Sequence, residues 1–384
     1  MIHYGKHHIT DEDIVAVTTV LKQQHLTQGN EVSTFEQSFN EVIKSKYSIA
    51  VSNGTAALHL ALKALGVRQG SRVITTPITF AATSNSVIYC GGEVEFCDIN
   101  KNTYLLDLEK LEELLQGKPD GYYDGVIAVH FGGLMVDTEK LKKITDRYGL
   151  WILEDACHAP GASFIDSNGI KINAGECSYS DGAIFSFHPV KHIACGEGGM
   201  VTTSNETIAE TVRLLRSHGI TKNPEQVTHI DGVWYYEMHE LGYNYRLTDF
   251  QCALGNSQLK RLAWSVKERN KIANRYIISF KDLPIKYQKY DDLFHNAYHL
   301  FVIEINNRKK LYDYLRQNDV LCQVHYIPVY FMPYYKQISK VVLPCHNAEN
   351  YYSHCLSIPM YPTLKEEEQS KVINLISNFV STNG

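Results

Sequence analysis

The chain has 384 residues, 44% apolar and 21% charged, with 42 acidic against 37 basic side chains and a net charge of −5. That length suits about two domains and a core needing no covalent staples. The charge is spread without a Lys/Arg-rich run, which argues against nucleic acid or an anionic membrane as partner, and collagen-like, disordered and coiled-coil compositions are excluded. The 9 cysteines are scattered with no Cys-x-x-Cys pair, so reduced, buried thiols are expected rather than a disulfide framework or a structural zinc site. The opening MIHYGKHHITDED has no apolar h-region, and no apolar run approaches membrane-spanning length. A cytoplasmic protein is expected.

In chain order, helical patterns cover Asp11–Lys22 and Val32–Lys44, and Tyr47–Val51 reads as a strand. Ser-Asn-Gly-Thr then leads into AALHLALKALG, a helix closed by Gly66. A strand at Arg72–Thr75, a helix after Pro77 and a strand at Glu93–Phe96 follow; 97–124 stays unassigned. Gly125–Val129 is a strand, Thr138–Tyr148 a helix and Leu150–Leu153 a strand. This alternation predicts an α/β protein with a mostly parallel sheet covered on both faces. Two more strands, around Gly182–Phe187 and Met200–Thr203, have little helix between them. From Thr248 the character changes. One long helical pattern, FQCALGNSQLKRLAWSVKERNKIANRYIISF, precedes a strand near His299–Glu304, a helix and the aromatic VHYIPVYFMPYY. The expected division is a large domain over 1–247 and a smaller α+β domain over 248–384.

Three features carry chemistry. The turn Ser52–Thr55, between a strand and a helix start, offers free N–H groups to a phosphate, although Asn-Gly and Thr are equally ordinary turn and cap residues. LWILEDACHAP ends a strand in Glu154-Asp155, with His158 three residues on. Ligands gather at strand carboxyl ends, and strand neighbours face opposite ways, so one of the two acids is expected to face a site; the alternative is that Asp155 only caps a turn. In GAIFSFHPVKHIACGEGG, Lys191 follows a strand ending at Ser186 and lacks the charged neighbours of a surface lysine. Burial there would lower its pKa and free the amine for covalent chemistry. His188 and His192 have no third ligand at metal spacing, so no metal site is expected, and Cys195 reads as a packing residue. A phosphate turn, a strand-end aspartate and then a lysine is the order a pyridoxal phosphate site needs. Phe80, in TPITFAATSN, is an aromatic that could stack on such a ring, or equally fill the core.

The segments SNGTAALHLAL, TPITFAATSN, EDACHAPGA, SFHPVKHIACGEGG and LGYNYRLTDFQCALGNSQLKRL, with HLTQGNEVSTFE near the start, resemble the DegT/StrS-type nucleotide-sugar aminotransferases almost end to end. The resemblance implies a PLP-dependent transferase fold of the aspartate aminotransferase type, with a seven-stranded, mostly parallel sheet. It implies Lys191 as the lysine that carries pyridoxal 5′-phosphate, Ser186, Gly54 and Thr55 at its phosphate, Asp155 at the ring nitrogen, and His158 and Phe80 beside the ring. It implies that Asn244 reaches the cofactor phosphate of a neighbouring subunit, making a homodimer with shared active sites, and that His325 and Tyr326 lie on the sugar side. Tyr330 stands where the family motif usually continues with histidine. The implied reaction moves an amino group from L-glutamate to C4 of a UDP-linked 4-keto-6-deoxy-N-acetyl hexosamine, a precursor of pseudaminic acid. The alternatives are another UDP- or dTDP-linked 4-keto or 3-keto sugar, a PLP-dependent sugar dehydratase, in which histidine replaces the lysine, and a non-catalytic cofactor-binding sensor.

Overall fold

The computed structural model describes residues 1–23, 25–338 and 344–383. Seven strands build the central sheet: β1 (Tyr47–Val51), β2 (Arg72–Thr75), β3 (Glu93–Phe96), β4 (Gly125–Val129), β5 (Trp151–Asp155), β6 (Gly182–Ser186) and β7 (Gly199–Thr203). Their order is β1-β7-β6-β5-β4-β2-β3, and β7 is antiparallel to both of its neighbours while the other pairs are parallel. The mostly parallel sheet expected from the sequence is therefore present. The reversal follows from the short, helix-free connection 187–198, which folds straight back and cannot make a crossover.

Nine helices surround this sheet and lead out of it: α1 (Asp11–Val20), α2 (Asn30–Ile43), α3 (Gly54–Ala64), α4 (Ala82–Tyr89), α5 (Leu108–Gln116), α6 (Thr138–Thr145), α7 (Glu206–Arg216), α8 (Asp249–Leu259) and α9 (Leu262–Phe280). α5 fills part of the stretch left unassigned above. Its signals are ordinary: Asp107 caps the N–H groups of Glu109 and Lys110 at 3.0 and 3.2 Å, and Leu111 and Leu115 face the core. Both faces of the sheet are buried, as the period of 2 dictates. Ile49, Leu153, Ile184 and Val201 pack beneath α3 and α7, while Ala50, Ala183, Phe185 and Met200 meet α2 and α8. On the second face Phe39 meets Phe185 edge-on, with ring centroids 5.0 Å apart.

A second core lies beyond α9. There β8 (Lys286–Tyr287), β9 (Phe301–Glu304) and β10 (Cys355–Ile358) form an antiparallel sheet in the order β8-β9-β10. Ile272, Tyr276 and Phe280 of α9 pack against Ile303 and Leu356 of it. The opening segment also crosses to this side, with Ile2 bridging Val320 and the Met360 N–H donating to the Tyr4 carbonyl at 2.9 Å.

The single long helix read from the sequence is two, broken at Arg261, whose φ and ψ are −103° and 6°. No proline or glycine causes the break. Asp13, fully buried on α1, draws the Arg261 guanidinium into a two-pronged pair at 2.7 and 3.2 Å, and accepts from Gln258 Nε2 at 2.8 Å and from the Thr10 N–H at 2.9 Å. Burial by itself raises the Asp13 pKa, but Arg261, Ser257 and the Thr10 amide outweigh it and hold the carboxyl below its ordinary value. A depressed carboxylate stabilises the fold above its unfolded pKa of about 4, and that contribution is lost as pH falls below it. Asp13→Asn should therefore cost about 2–4 kcal/mol in denaturant unfolding at pH 7, and the gap to the parent should shrink between about pH 5 and pH 3.

Candidate active site

The turn after β1 is built around one point of contact. The Asn53 side chain caps α3 by accepting the Ala56 N–H at 2.8 Å, and its carbonyl accepts the Ala57 N–H at 3.0 Å. The N–H groups of Gly54 and Thr55 are left without an acceptor among the described residues. A Cβ on Gly54 would lie 2.9 Å from Ser186 Cβ, and one on Gly199 would lie 2.5 Å from the Asn53 carbonyl carbon. Only glycine allows α3, β6 and β7 to converge so closely. Ser186, half-buried, accepts the His188 N–H at 3.4 Å. Free N–H groups, a serine hydroxyl and a helix N-terminus together make an anion cradle.

Alternation along β5 separates its two terminal acids as expected. Glu154 turns into the core, where it takes hydrogen bonds from His130 Nε2 at 2.8 Å, the Gly175 N–H at 3.1 Å and the Ser180 hydroxyl at 2.5 Å. Asp155 turns toward α4. Its carboxylate accepts the Thr83 hydroxyl at 2.7 Å and the Cys157 N–H at 3.2 Å, and no cationic side chain forms an ion pair with it among the described residues. A buried carboxylate held by two neutral donors suits a protonated ring nitrogen.

Lys191 sits on the turn His188–Lys191, closed by its N–H to the His188 carbonyl at 2.8 Å. Burial lowers its pKa below the usual lysine value, although Cys157 and Asp155 pull the other way. Its Nζ lies 3.5 Å from His299 Nε2, the outer limit of a hydrogen bond. His299 also packs on His158, with centroids 4.3 Å apart. The Gly132 N–H donates to His158 Nδ1 at 3.3 Å, which leaves the Nε2 proton for the Tyr326 hydroxyl at 3.3 Å. Burial keeps His158, His192 and His299 well below the ordinary histidine pKa, with Lys191 adding to the effect. The lysine is ringed by neutral histidines.

His299, Thr83 and Gly132 are not among the site residues expected from the sequence. Gly132 and Gly133, with φ of +73° and +107°, take a left-handed path after β4 that side chains disfavour. Their carbonyls receive the Leu300 and Ala297 N–H groups at 3.2 and 3.0 Å, which holds the His299 segment against the site.

Of the sugar-side residues, Tyr326 enters the site through His158 and approaches Phe80, with centroids 6.3 Å apart. Phe80 lies before α4 and is 63% exposed, so it is available to a ligand and is not a core residue. His325 is buried, bonded through Nδ1 to Ser357 Oγ at 2.8 Å, with burial and Lys191 driving its pKa down to about 3. Tyr330 departs from the expected sugar-side position. It is buried in the core beside Phe96, and its hydroxyl is spent on Glu349 at 2.9 Å. Asn244 is exposed, its backbone bridged to Ser217, while the carbonyl of Tyr245 accepts the Ser52 N–H at 2.8 Å. His192 donates Nε2–H to the Ala297 carbonyl at 2.9 Å, as a local hydrogen-bonding residue.

A model of the DegT/DnrJ/EryC1/StrS aminotransferase family matches residues 7–377. The chain belongs to this family. This aminotransferase is 37% identical to spore coat polysaccharide biosynthesis protein SpsC of Bacillus subtilis, over 97% of the chain and 95% of the relative. It is also 37% identical to the UDP-4-amino-4,6-dideoxy-N-acetyl-beta-L-altrosamine transaminase of Campylobacter jejuni, over 94% and 93%. Among solved structures, Helicobacter pylori PseC, described as an aminotransferase of pseudoaminic acid biosynthesis, superposes with a TM-score of 0.88 at 28% identity over 99% of each chain. No helix among the described residues is long and apolar enough to cross a membrane.

If His299 Nε2 accepts from the Lys191 ammonium, it favours the charged amine, so its loss should lower the lysine pKa further. In His299→Leu the pH midpoint for uptake of pyridoxal phosphate by the apoprotein should fall by about half to one unit, the scale of a weak hydrogen bond to a charge. His299→Gln, which keeps an acceptor near the Nε2 position, should restore it. A midpoint unchanged in both variants would remove His299 from this role.

Proposed function

We propose that this aminotransferase transfers the amino group of L-glutamate to C4 of a UDP-linked 4-keto-6-deoxy-N-acetyl hexosamine on the route to pseudaminic acid. The observation that carries the reaction class is the Lys191 amine, withdrawn from water at the end of a strand-end cradle with Asp155 nearby. The sugar is supported by the similarity to the Campylobacter UDP-sugar transaminase and the Helicobacter aminotransferase of pseudoaminic acid biosynthesis.

The residues fit pyridoxal 5′-phosphate. Gly54, Thr55 and Ser186 would hold its phosphate, Asp155 its ring nitrogen, and His158 and Phe80 the faces of its ring. When bound, it supplies a carbonyl to take the amino group and a ring to take the electron pair of a broken C–H bond. Asp155 would keep a proton on the ring nitrogen, and Thr83 keeps the Asp155 carboxylate oriented. Lys191 Nζ, neutral once freed, takes the proton from donor Cα in one half-reaction and returns one to sugar C4 in the other. His158, neutral and fixed by Gly132, presents a ring without charge. His325 and Tyr326 line the side from which the sugar enters. The dehydratase alternative needs a histidine in place of the lysine, and the adjacent His192 is spent on the Ala297 carbonyl.

The active unit in this reading is a homodimer. Asn244 is exposed in its own chain, and the segment before it displays Val233 at 98%, Trp234 at 68% and Leu241 at 79% exposure, an apolar strip that calls for a cover. Asn244 would reach the cofactor phosphate across that interface.

Two experiments test the reading. Turnover of the UDP-linked L-arabino 4-keto sugar should exceed, in kcat/KM, that of the D-xylo epimer and of dTDP-4-keto-6-deoxyglucose by about tenfold or more, the scale set by one or two lost contacts. A preference for either competitor would discard the pseudaminic substrate and leave the aminotransferase standing. Separately, inactive Lys191→Ala and inactive Asn244→Ala subunits are mixed and allowed to exchange. One site of the heterodimer then has both residues intact, and up to half the activity per heterodimer should return. No recovery despite exchange would mean that Asn244 acts within its own chain.

A further inference from the structure

A cavity of about 20 Å³ opens beside Lys191, between the N-terminal segment and the α8–α9 junction. Its charged lining is Lys6, Lys191, Arg261 and Arg269, and its lining includes neither aspartate nor glutamate. Arg261 already has Asp13. Lys6, Lys191 and Arg269 have no carboxylate partner among the described residues.

Arg269 is the anomaly. It is 1% exposed, and Nη1 donates to the carbonyls of Tyr298, His299 and Met360 at 3.1, 3.4 and 3.0 Å. Among the described residues its buried Nε has no acceptor, and the buried Nδ1 atoms of His8 and His192 on the same cavity wall are also without partners. A guanidinium buried without a counter-charge is costly, and carbonyls alone answer only part of it.

We propose that this cavity seats one small monovalent anion, a free halide or the carboxylate end of the amino-acid donor, held by Arg269 Nε with the exposed Lys6 ammonium beside it. The volume suits a single ion or carboxylate group and is too small for a whole substrate. A water molecule would also fit, and His192 Nδ1, an acceptor because Nε2–H is spent on Ala297, would welcome one. Water would leave the buried Arg269 guanidinium without a counter-charge, which is why the anion is favoured. The carboxylate source rests on the glutamate reading above; the halide source does not.

The test is line broadening of the chloride NMR signal by the holoenzyme at constant ionic strength. Broadening is expected, and Lys6→Gln should weaken chloride affinity about two- to fivefold, the scale of one exposed charge, with Lys6→Arg restoring it. Arg269→Gln should abolish it if that variant folds; the Lys6 pair keeps the proposal testable if it does not. Reversal by L-glutamate would identify the donor carboxylate as the natural occupant, and broadening that persists would identify a free halide. Bromide-soaked holoenzyme crystals should give an anomalous peak beside Arg269 Nε. Absence of broadening, broadening indifferent to all three variants, or water without an anomalous peak would overturn the proposal. None of these readouts requires sugar turnover, so they stand or fall apart from the substrate assignment.

Discussion

The site depends on keeping one amine out of water without a carboxylate to pair it. Paired with an acid, Lys191 would stay an ammonium and could form no bond to carbon. Left in water, it would be protonated at neutral pH. Here its polar contact is a neutral imidazole, His299, and the further histidines around it are kept neutral by the same burial that lowers the lysine pKa. The two effects reinforce each other, because a cationic histidine would repel the ammonium and a cationic lysine depresses each histidine.

That arrangement follows from the reversal of β7. A crossover helix between β6 and β7 would have carried residue 191 away from the carboxyl ends of the strands. The direct return puts the turn His188–Lys191 over the sheet edge and brings Gly199 against Asn53, so one connection positions both the lysine and the cradle. The remaining walls come from distant segments. α4 supplies Thr83, the Phe131–Gly133 turn orients His158, and the irregular segment between Asn296 and β9 delivers His299.

What was legible in the sequence is the chemistry carried by residue type at a strand end. Asp155 could be read because it ends a strand, Lys191 because it follows one without charged neighbours, and Gly54 because it lies in a strand-to-helix turn, whereas Ser186 took its expected role from the family resemblance; strand alternation set Asp155 and Glu154 on opposite sides before any contact was known. His299 could not be read in that way, since its meaning comes from a neighbour 108 positions earlier in the chain. Gly132 acts through its backbone N–H, which no side-chain pattern reveals. The break between α8 and α9 was equally hidden, because Arg261 is drawn aside by Asp13, 248 positions away. α5 is a different case: its Asp107 cap and leucine spacing were present and readable. Tyr330 shows the limit of matching motif positions, since Glu349 captures its hydroxyl inside the core.

A single chain still leaves the ligand's surroundings open on one side. Phe80 is mostly exposed although it stands near Tyr326 of the site, and the N–H groups of Gly54 and Thr55 have no acceptor among the described residues. A phosphate and a ring would occupy part of that space, but neither would cover Phe80 from outside. The apolar strip around Trp234 has the opposite defect, a hydrophobic surface with nothing against it. Water is poorly excluded at the first and needlessly ordered at the second. Bringing a second copy of the strip toward the first copy's site would relieve both, and Asn244, at the foot of that strip and next to the Tyr245 carbonyl that anchors Ser52, would arrive as the polar group at an otherwise apolar contact.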